Sequence, residues 1–333
     1  MSKVITLGEI MLRLSTKVGQ RISGSESFDA HYGGGEANVA VSLANFGHQV
    51  AFASKVPNNF LGKAAIQHLK AVGVDTSTML VGGPRLGTYY LEAGIGNRAA
   101  KVIYDRAGSS FAKICENEWA TDLLAGVEIL HLSGITAALS LRWCELLVEL
   151  MQQARQQGCK VSFDINYRGN LWSQKEAGQA LEKLLPHVDY CSAGKLDAIH
   201  LLGISERTGS EDQLPSYYQA IQEKFPTIEL LYSTKRVVHS ASFHELTGTI
   251  WQASTYYESN THQLDPIVDR VGGGDAFSAG ILHGILTKMS LQATVDFATA
   301  AAALKHTVLG DANQFDSQEV ETYLMNGSGA INR

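Results

Sequence analysis

A chain of 333 residues that is 45% apolar and 18% charged is long enough for a large core and too apolar to remain disordered. Its 33 acidic against 27 basic side chains leave a net charge of -6 with no local crowding of Lys and Arg, which argues against a nucleic-acid partner. No apolar run reaches the roughly 18 residues of a membrane span and the first residues carry no apolar signal core, so the expected location is the cytoplasm.

Residues 4–10 spell a buried strand, and 36–46 a helix with Ala37, Val39, Ala40, Leu43 and Ala44 on one side and Gly47 as its stop. A strand at 50–56 and a helix at 62–72 follow. Between 78 and 104 the pattern changes to short strand candidates, 80–81, 86–93 and 101–104, separated by Gly-rich turns. This stretch reads as an antiparallel insertion, either a lid over a cleft or an extension of a sheet edge.

Beyond Gly126 strands at 129–132, 160–165, 188–191 and 229–233 alternate with helices at 140–157, 175–185, 196–202 and 214–224. A hairpin is expected at 243–253 and two last helices at 275–287 and 291–307. Such alternation predicts a mainly parallel sheet with helices on both faces. No repeat or linker interrupts it, so residues 1–333 read as one α/β domain with lid strands mainly within 78–106. Cys115, Cys144, Cys159 and Cys191 are widely spaced and the 11 His show no ligand spacing, which predicts four buried free thiols and no structural zinc.

Glycine carries the functional signal. Two triplets, Gly33 to Gly35 and Gly272 to Gly274, each stand directly before a helix-like segment. The second lies in Asp269-Arg270-Val271-Gly272-Gly273-Gly274-Asp275-Ala276-Phe277-Ser278-Ala279-Gly280. A glycine turn opening a helix offers unpaired N–H groups and the positive dipole end to an anion, and Asp275 adds a carboxylate beside them. Phosphoryl transfer to a hydroxyl requires that pairing, an anion hole next to a base. The plainer alternative is that Asp275 caps the helix and the glycines only turn the chain. No Gly-x-x-x-x-Gly-Lys occurs, and Phe277 stands where a dinucleotide fingerprint needs Gly or Ala, so P-loop and ordinary NAD chemistry are excluded.

The Asp269–Gly280 segment resembles the C-terminal D-x-x-G-A-G-D-x-F signature of the ribokinase-like PfkB carbohydrate kinases. Tyr32-Gly33-Gly34-Gly35-Glu36-Ala37-Asn38-Val39-Ala40 is similar to their N-terminal G-G-x-x-x-N-x-A signature. The resemblance spans the chain and implies a three-layer α/β/α sandwich with a small β lid, a sugar under the lid, and ATP with Mg2+ on the C-terminal side. It makes Asp275 the catalytic base and Gly272, Gly273 and Gly274 the anion hole.

Within the family, Gly87-Thr88-Tyr89-Tyr90-Leu91-Glu92, Tyr104-Asp105-Arg106, His131-Leu132-Ser133-Gly134-Ile135, residues 164–172 and Leu304-Lys305-His306-Thr307 with Gly310-Asp311 are similar to the 2-keto-3-deoxygluconate kinases. The resemblance assigns Gly34, Asn38, Tyr89, Tyr104, Arg106 and Arg168 to the sugar acid, with the two Arg gripping its carboxylate. Taken without the family, each Arg reads as a surface ion pair and each Tyr as lid packing.

Two motifs depart from the family pattern. Thr234-Lys235-Arg236-Val237-Val238-His239 stands in place of T-x-G-x-x-G, leaving Thr234 and Arg236 as the nucleotide-binding candidates. Gly194-Lys195-Leu196-Asp197 stands in place of N-x-x-E, leaving Asp197 to order Mg2+ through water. Fructose or another ketose as substrate, and a sugar-acid or nucleotide sensor without turnover, remain alternatives. Val81, Leu86 and Leu91 on the lid predict a homo-oligomer through the lid strands.

Overall fold

The computed structural model describes residues 3–120, 122–206 and 213–327. The first half contains β1 (Val4–Leu7), β2 (Met11–Ser15), β3 (Asp29–Gly33), α1 (Gly35–Asn45), β4 (Val50–Val56), α2 (Phe60–Ala71), β5 (Met79–Val81), β6 (Gly87–Glu92), β7 (Lys101–Asp105), β8 (Ile129–Ser133), α3 (Gly134–Ala137) and α4 (Leu141–Gln156). The second contains β9 (Lys160–Asp164), α5 (Gln174–Leu184), β10 (Tyr190–Ser192), α6 (Lys195–His200), α7 (Leu214–Lys224), β11 (Leu230–Ser240), β12 (Phe243–Gln252), β13 (Thr255–Glu258), β14 (His262–Leu264), α8 (Gly273–Thr287), α9 (Leu291–Lys305) and α10 (Ser317–Asn326).

The main sheet runs β13-β12-β11-β10-β9-β8-β1-β4-β5, with β14 on β12. It is parallel from β11 to β5 and antiparallel beyond β11. Because strand residues alternate sides, Ile5, Leu7, Leu130, Leu132, Val161 and Phe163 form one core with α4, α5 and α7. Val4, Phe52, Ile129, Tyr190 and Tyr232 form the other with α1, α8 and α9. Burial on both faces explains the near-continuous apolar runs of the parallel strands. The shared strand direction brings the C-terminal ends of β1, β8, β9, β10 and β11 to one edge, where ligands of such sheets bind.

A second sheet, β3-β2-β6-β7, forms the lid. Only two of its strands come from 78–106. The other two come from residues 11–33, and β5 pairs in parallel with β4 at the edge of the main sheet. The alternating burial of Met11–Ser15 is a strand signal of period two that merges by sequence with the apolar run of β1.

Three further expectations are corrected. The strand expected to end at 233 continues to Ser240 and pairs antiparallel with β12, Thr234 opposite Gly248 and Arg236 opposite Leu246, so the segment read as a nucleotide loop is sheet. Residues 243–252 are one arm of that pair instead of a hairpin by themselves. Cys115 is exposed, while Cys144, Cys159 and Cys191 are buried and all four are free thiols. The C-terminal α10 was not anticipated, although Asp316 and Glu319 form a capping box at its start. Among the described residues no helix is long and apolar enough to cross a membrane.

Candidate active site

The second glycine triplet makes the turn its composition allows. Gly272 sits in the left-handed region (φ 80°), and a Cβ there would overlap the main-chain carbonyl of Asp311, so no other residue fits. Gly272 is the N-cap of α8 and offers no side chain to the first turn, which leaves the N–H groups of Gly273, Gly274 and Asp275 without a side-chain acceptor. A helix of 15 residues adds its dipole at the same point. Gly274 is exposed with nothing near its missing side chain, which leaves room for a ligand atom.

Asp275 does not cap the helix. Its Oδ2 accepts a hydrogen bond from Asn38 Nδ2 at 2.7 Å, and Asn38 Oδ1 in turn accepts from the Gly34 N–H at 3.4 Å. The two glycine signatures, more than 230 residues apart in sequence, are thereby joined through one amide. Asn38, expected among the sugar contacts, is committed to holding Asp275. Burial pushes the Asp275 carboxyl up to about 6, helped by the charges of Glu36 and Asp311 and opposed by Asn38 and the Arg168 cation.

Gly274, the residue before Asp275, lines a cleft of about 1090 Å³ together with Asp164, Asn166, Arg168, Asp197 and Thr234. Asp164, at the end of β9, is pushed up to about 7 by burial and next by the charge of Asp275. Burial also raises Asp197, whose Oδ2 accepts the Gly194 N–H at 2.8 Å and so starts α6. Asn166 has positive φ (41°), a conformation Asn tolerates better than most residues, and its side-chain nitrogen lies close to Gly35. Arg168 is exposed; its Nη1 donates to its neighbour's Tyr167 carbonyl at 3.2 Å, and no carboxylate of the described residues pairs with it.

The other sugar-side candidates are engaged within the chain. Arg106 is buried and gives its Nε and Nη2 to Glu9 Oε2, the former at 2.8 Å, while Glu9 Oε1 has no hydrogen-bond partner among the described residues. Tyr89 donates to Asp311 Oδ2, and the ring of Tyr104 lies 5.7 Å from that of Tyr89 on the neighbouring lid strand. Gly34 is extended and presses on the Glu9 carbonyl, which a side chain would overlap. Glu9, Arg106 and Gly34 therefore form one wall.

Arg236 lies outside the cleft lining. Its Nη1 donates to His244 Nδ1 at 2.9 Å and to His306 Nε2 at 3.2 Å, and burial with the nearby Arg270 pushes its guanidinium down to about 10. His306 donates from Nδ1 to the Ala302 carbonyl and stays neutral, pushed down to about 3 by burial and by Arg236. Its ring fills the space a Gly273 side chain would occupy, so Arg236 stands directly behind the glycine turn.

Sequence reasoning missed Glu9, Arg13, Glu36 and Asp311 as parts of this site. Glu36 is fully enclosed and accepts from Ser133 Oγ at 2.6 Å and Thr136 Oγ1 at 3.0 Å. Its signal was a charged residue opening an otherwise apolar helix.

The pfkB family carbohydrate kinase model matches residues 1–318. A PfkB family carbohydrate kinase from Listeria grayi is 48% identical with a TM-score of 0.93, the match covering 97% of this chain and 99% of that one. A 2-dehydro-3-deoxygluconokinase from Thermotoga maritima is 36% identical with a TM-score of 0.94, covering 98% and 100%. A 2-dehydro-3-deoxygalactonokinase from Haloferax volcanii is 32% identical over 332 residues, 100% of this chain and 99% of the relative. With the two glycine signatures meeting at Asp275 in a ribokinase-like fold, the chain belongs to the pfkB family of carbohydrate kinases, enzymes that move a phosphoryl group onto an alcohol.

Proposed function

We propose that the protein phosphorylates the terminal hydroxyl of 2-keto-3-deoxygluconate, using ATP with Mg2+. The observation that carries this reading is one cleft lined by Gly274, in the uncapped start of α8 beside Asp275, and by Arg168, a cation that forms no ion pair among the described residues and whose charge acts on Asp275. The relative from Thermotoga, named for that substrate, supports it. Because the relative from Haloferax is named for the galactonate-derived keto-acid, that substrate is the second reading.

In this reading Asp275 accepts the proton of the attacking hydroxyl on Oδ1, since Asn38 occupies Oδ2. The N–H groups of Gly273, Gly274 and Asp275 hold the charge of the transferred phosphoryl group, and Arg236 adds a cation behind them. Arg168 grips the substrate carboxylate; Arg106, already charge-balanced by Glu9, offers the rest of its donors to the same group. Thr234 and the residues along the cleft toward Asp197 receive the nucleotide.

The donor set suits a hard cation. Asp164 and Asp197 line the same cleft, both carboxyls are raised, and the charges of Asp275 and Asp197 push on Asp164. Among the described residues no group of three or more potential ligands forms a cage, which fits an ion held mainly by phosphates and water with Asp164 and Asp197 behind the water. When bound, Mg2+ neutralises phosphate charge.

Replacing Arg168 with Ala tests the substrate class. For a keto-acid, KM should rise by roughly tenfold or more, since a charge-assisted pair is lost. The acid limb of the pH profile should also move up, because the Arg168 cation holds Asp275 down. A KM unchanged by this substitution would point to a neutral ketose instead.

We also propose that the protein is a homo-oligomer joined through the lid strands. Leu86 and Leu91 are buried within the chain and Val81 belongs to the main sheet, so they are not the apolar lid face expected. Of the two lid edges, β3 and β7, the second presents Val102 and Ile103 exposed. Light scattering should give twice the 36.0 kDa chain mass or a higher multiple, and Ile103→Lys should lower it. A monomeric wild type contradicts this part.

A further inference from the structure

We propose that Arg13 is a positioning residue that makes the geometry of the anion-binding turn depend on the placement of the lid. The proposal rests on the anion-hole reading of Gly272 to Asp275 given above. Arg13 is the central residue of lid strand β2, opposite His31 on β3 and Tyr89 on β6, and is 2% exposed. Its guanidinium leaves the lid and bridges two buried carboxylates, Nη2 to Asp269 Oδ2 at 2.6 Å and Nη1 to Asp311 Oδ1 at 2.8 Å, while Nε donates to Ser15 Oγ at 2.6 Å.

Those two carboxylates belong to the two segments that shape the glycine turn. Asp269 Oδ1 accepts the Val271 N–H at 3.0 Å, one residue before Gly272, and its Oδ2 accepts the Gly310 N–H at 3.1 Å. Asp311 places its main-chain carbonyl against Gly272 and receives the Tyr89 hydroxyl on Oδ2. Both segments that fix the path of Gly272 are thus tied to one guanidinium delivered by the lid. A second buried cation, Lys305, ties the same segments from below, its Nζ donating to the carbonyls of Asp269 at 3.3 Å and Val308 at 3.4 Å.

Two cations against two carboxylates leave the cluster neutral, a condition buried charges require. A planar fork spans both carboxylates where an ammonium, a point charge, serves only one. Moving the lid moves the fork, and the fork moves Asp269 and Asp311. A displacement of about 1 Å in the turn is enough to cost roughly 10²-fold in rate.

The test uses the full chain with Arg13→Met and Arg13→Lys. Four quantities are read: kcat, KM for the keto-acid, its dissociation constant by calorimetry, and deuterium uptake of residues 269–275 and 308–311. Arg13→Met should lower kcat by roughly 10²-fold while sugar affinity stays within about threefold, and both segments should exchange faster. Arg13→Lys, which keeps the charge and one of two bridges, should fall between it and wild type and guards against a Met variant that fails to fold. A kcat within twofold of wild type in both variants, with only a lower Tm, would make Arg13 merely structural and overturn the proposal. So would a loss carried wholly by sugar affinity. Exchange that rises in both segments while wild type turns over no sugar would sink the proposed function and leave the coupling standing.

Discussion

Asp275→Asn is expected to lower kcat by about 10³-fold, while the dissociation constant for the sugar changes little. The amide preserves size and can still pair with Asn38, so the geometry around α8 survives and only the proton acceptor is lost. The wild-type pH profile should carry the same signature. A base must be ionised to act, and the Asp275 carboxyl sits at about 6. The rate should therefore rise with pH through about 6 and level off above it. Asn38→Ala removes the hydrogen bond that holds this carboxyl down, so its profile should begin at higher pH, with kcat reduced even on the plateau. An acid limb that does not respond to Asn38 would separate Asp275 from the titration.

Gly272→Ala should be nearly as damaging by a different route. A side chain at φ 80° costs roughly 1–2 kcal/mol for the backbone alone. Overlap with the Asp311 carbonyl then forces the turn or the 308–311 segment to shift. We expect a loss in kcat of roughly 10²-fold, together with a Tm lower by a few degrees. Gly274→Ala is the contrast, because nothing lies within 4 Å of the position. It should fold as wild type does and lose activity only to the extent that phosphate needs the space. Equal Tm values for Gly272→Ala and wild type would show that the turn relaxes freely and does not hold the shape argued for it.

The α/β alternation was legible because parallel strands covered on both faces read as apolar runs and their helices carry period 3.6. Less legible was whatever depends on pairing across long separations. Strand β2 joins the lid by pairing with β6 and brings β3 with it, and a five-residue alternating stretch after β1 does not reveal its partner. Nor does the sequence show that Thr234 to Ser240 continues as sheet, since the pairing with β12 decides it. At the site, the glycine turn and Asp275 were visible as a local motif. Arg13 with Asp311, 298 residues apart, and Arg106 with Glu9, 97 apart, were not. Charges of opposite sign at such distances have many possible partners, and only the fold selects one.

The measurement closest to the central claim is ADP release from ATP and Mg2+ with 2-keto-3-deoxygluconate, 2-keto-3-deoxygalactonate, fructose and ribose, run with wild type and Asp275→Asn in parallel. The account predicts turnover with the keto-acids, greatest with the gluconate-derived one, little with fructose or ribose, and near-complete loss in the variant. Turnover of fructose above both keto-acids, or a variant as active as wild type, would contradict it.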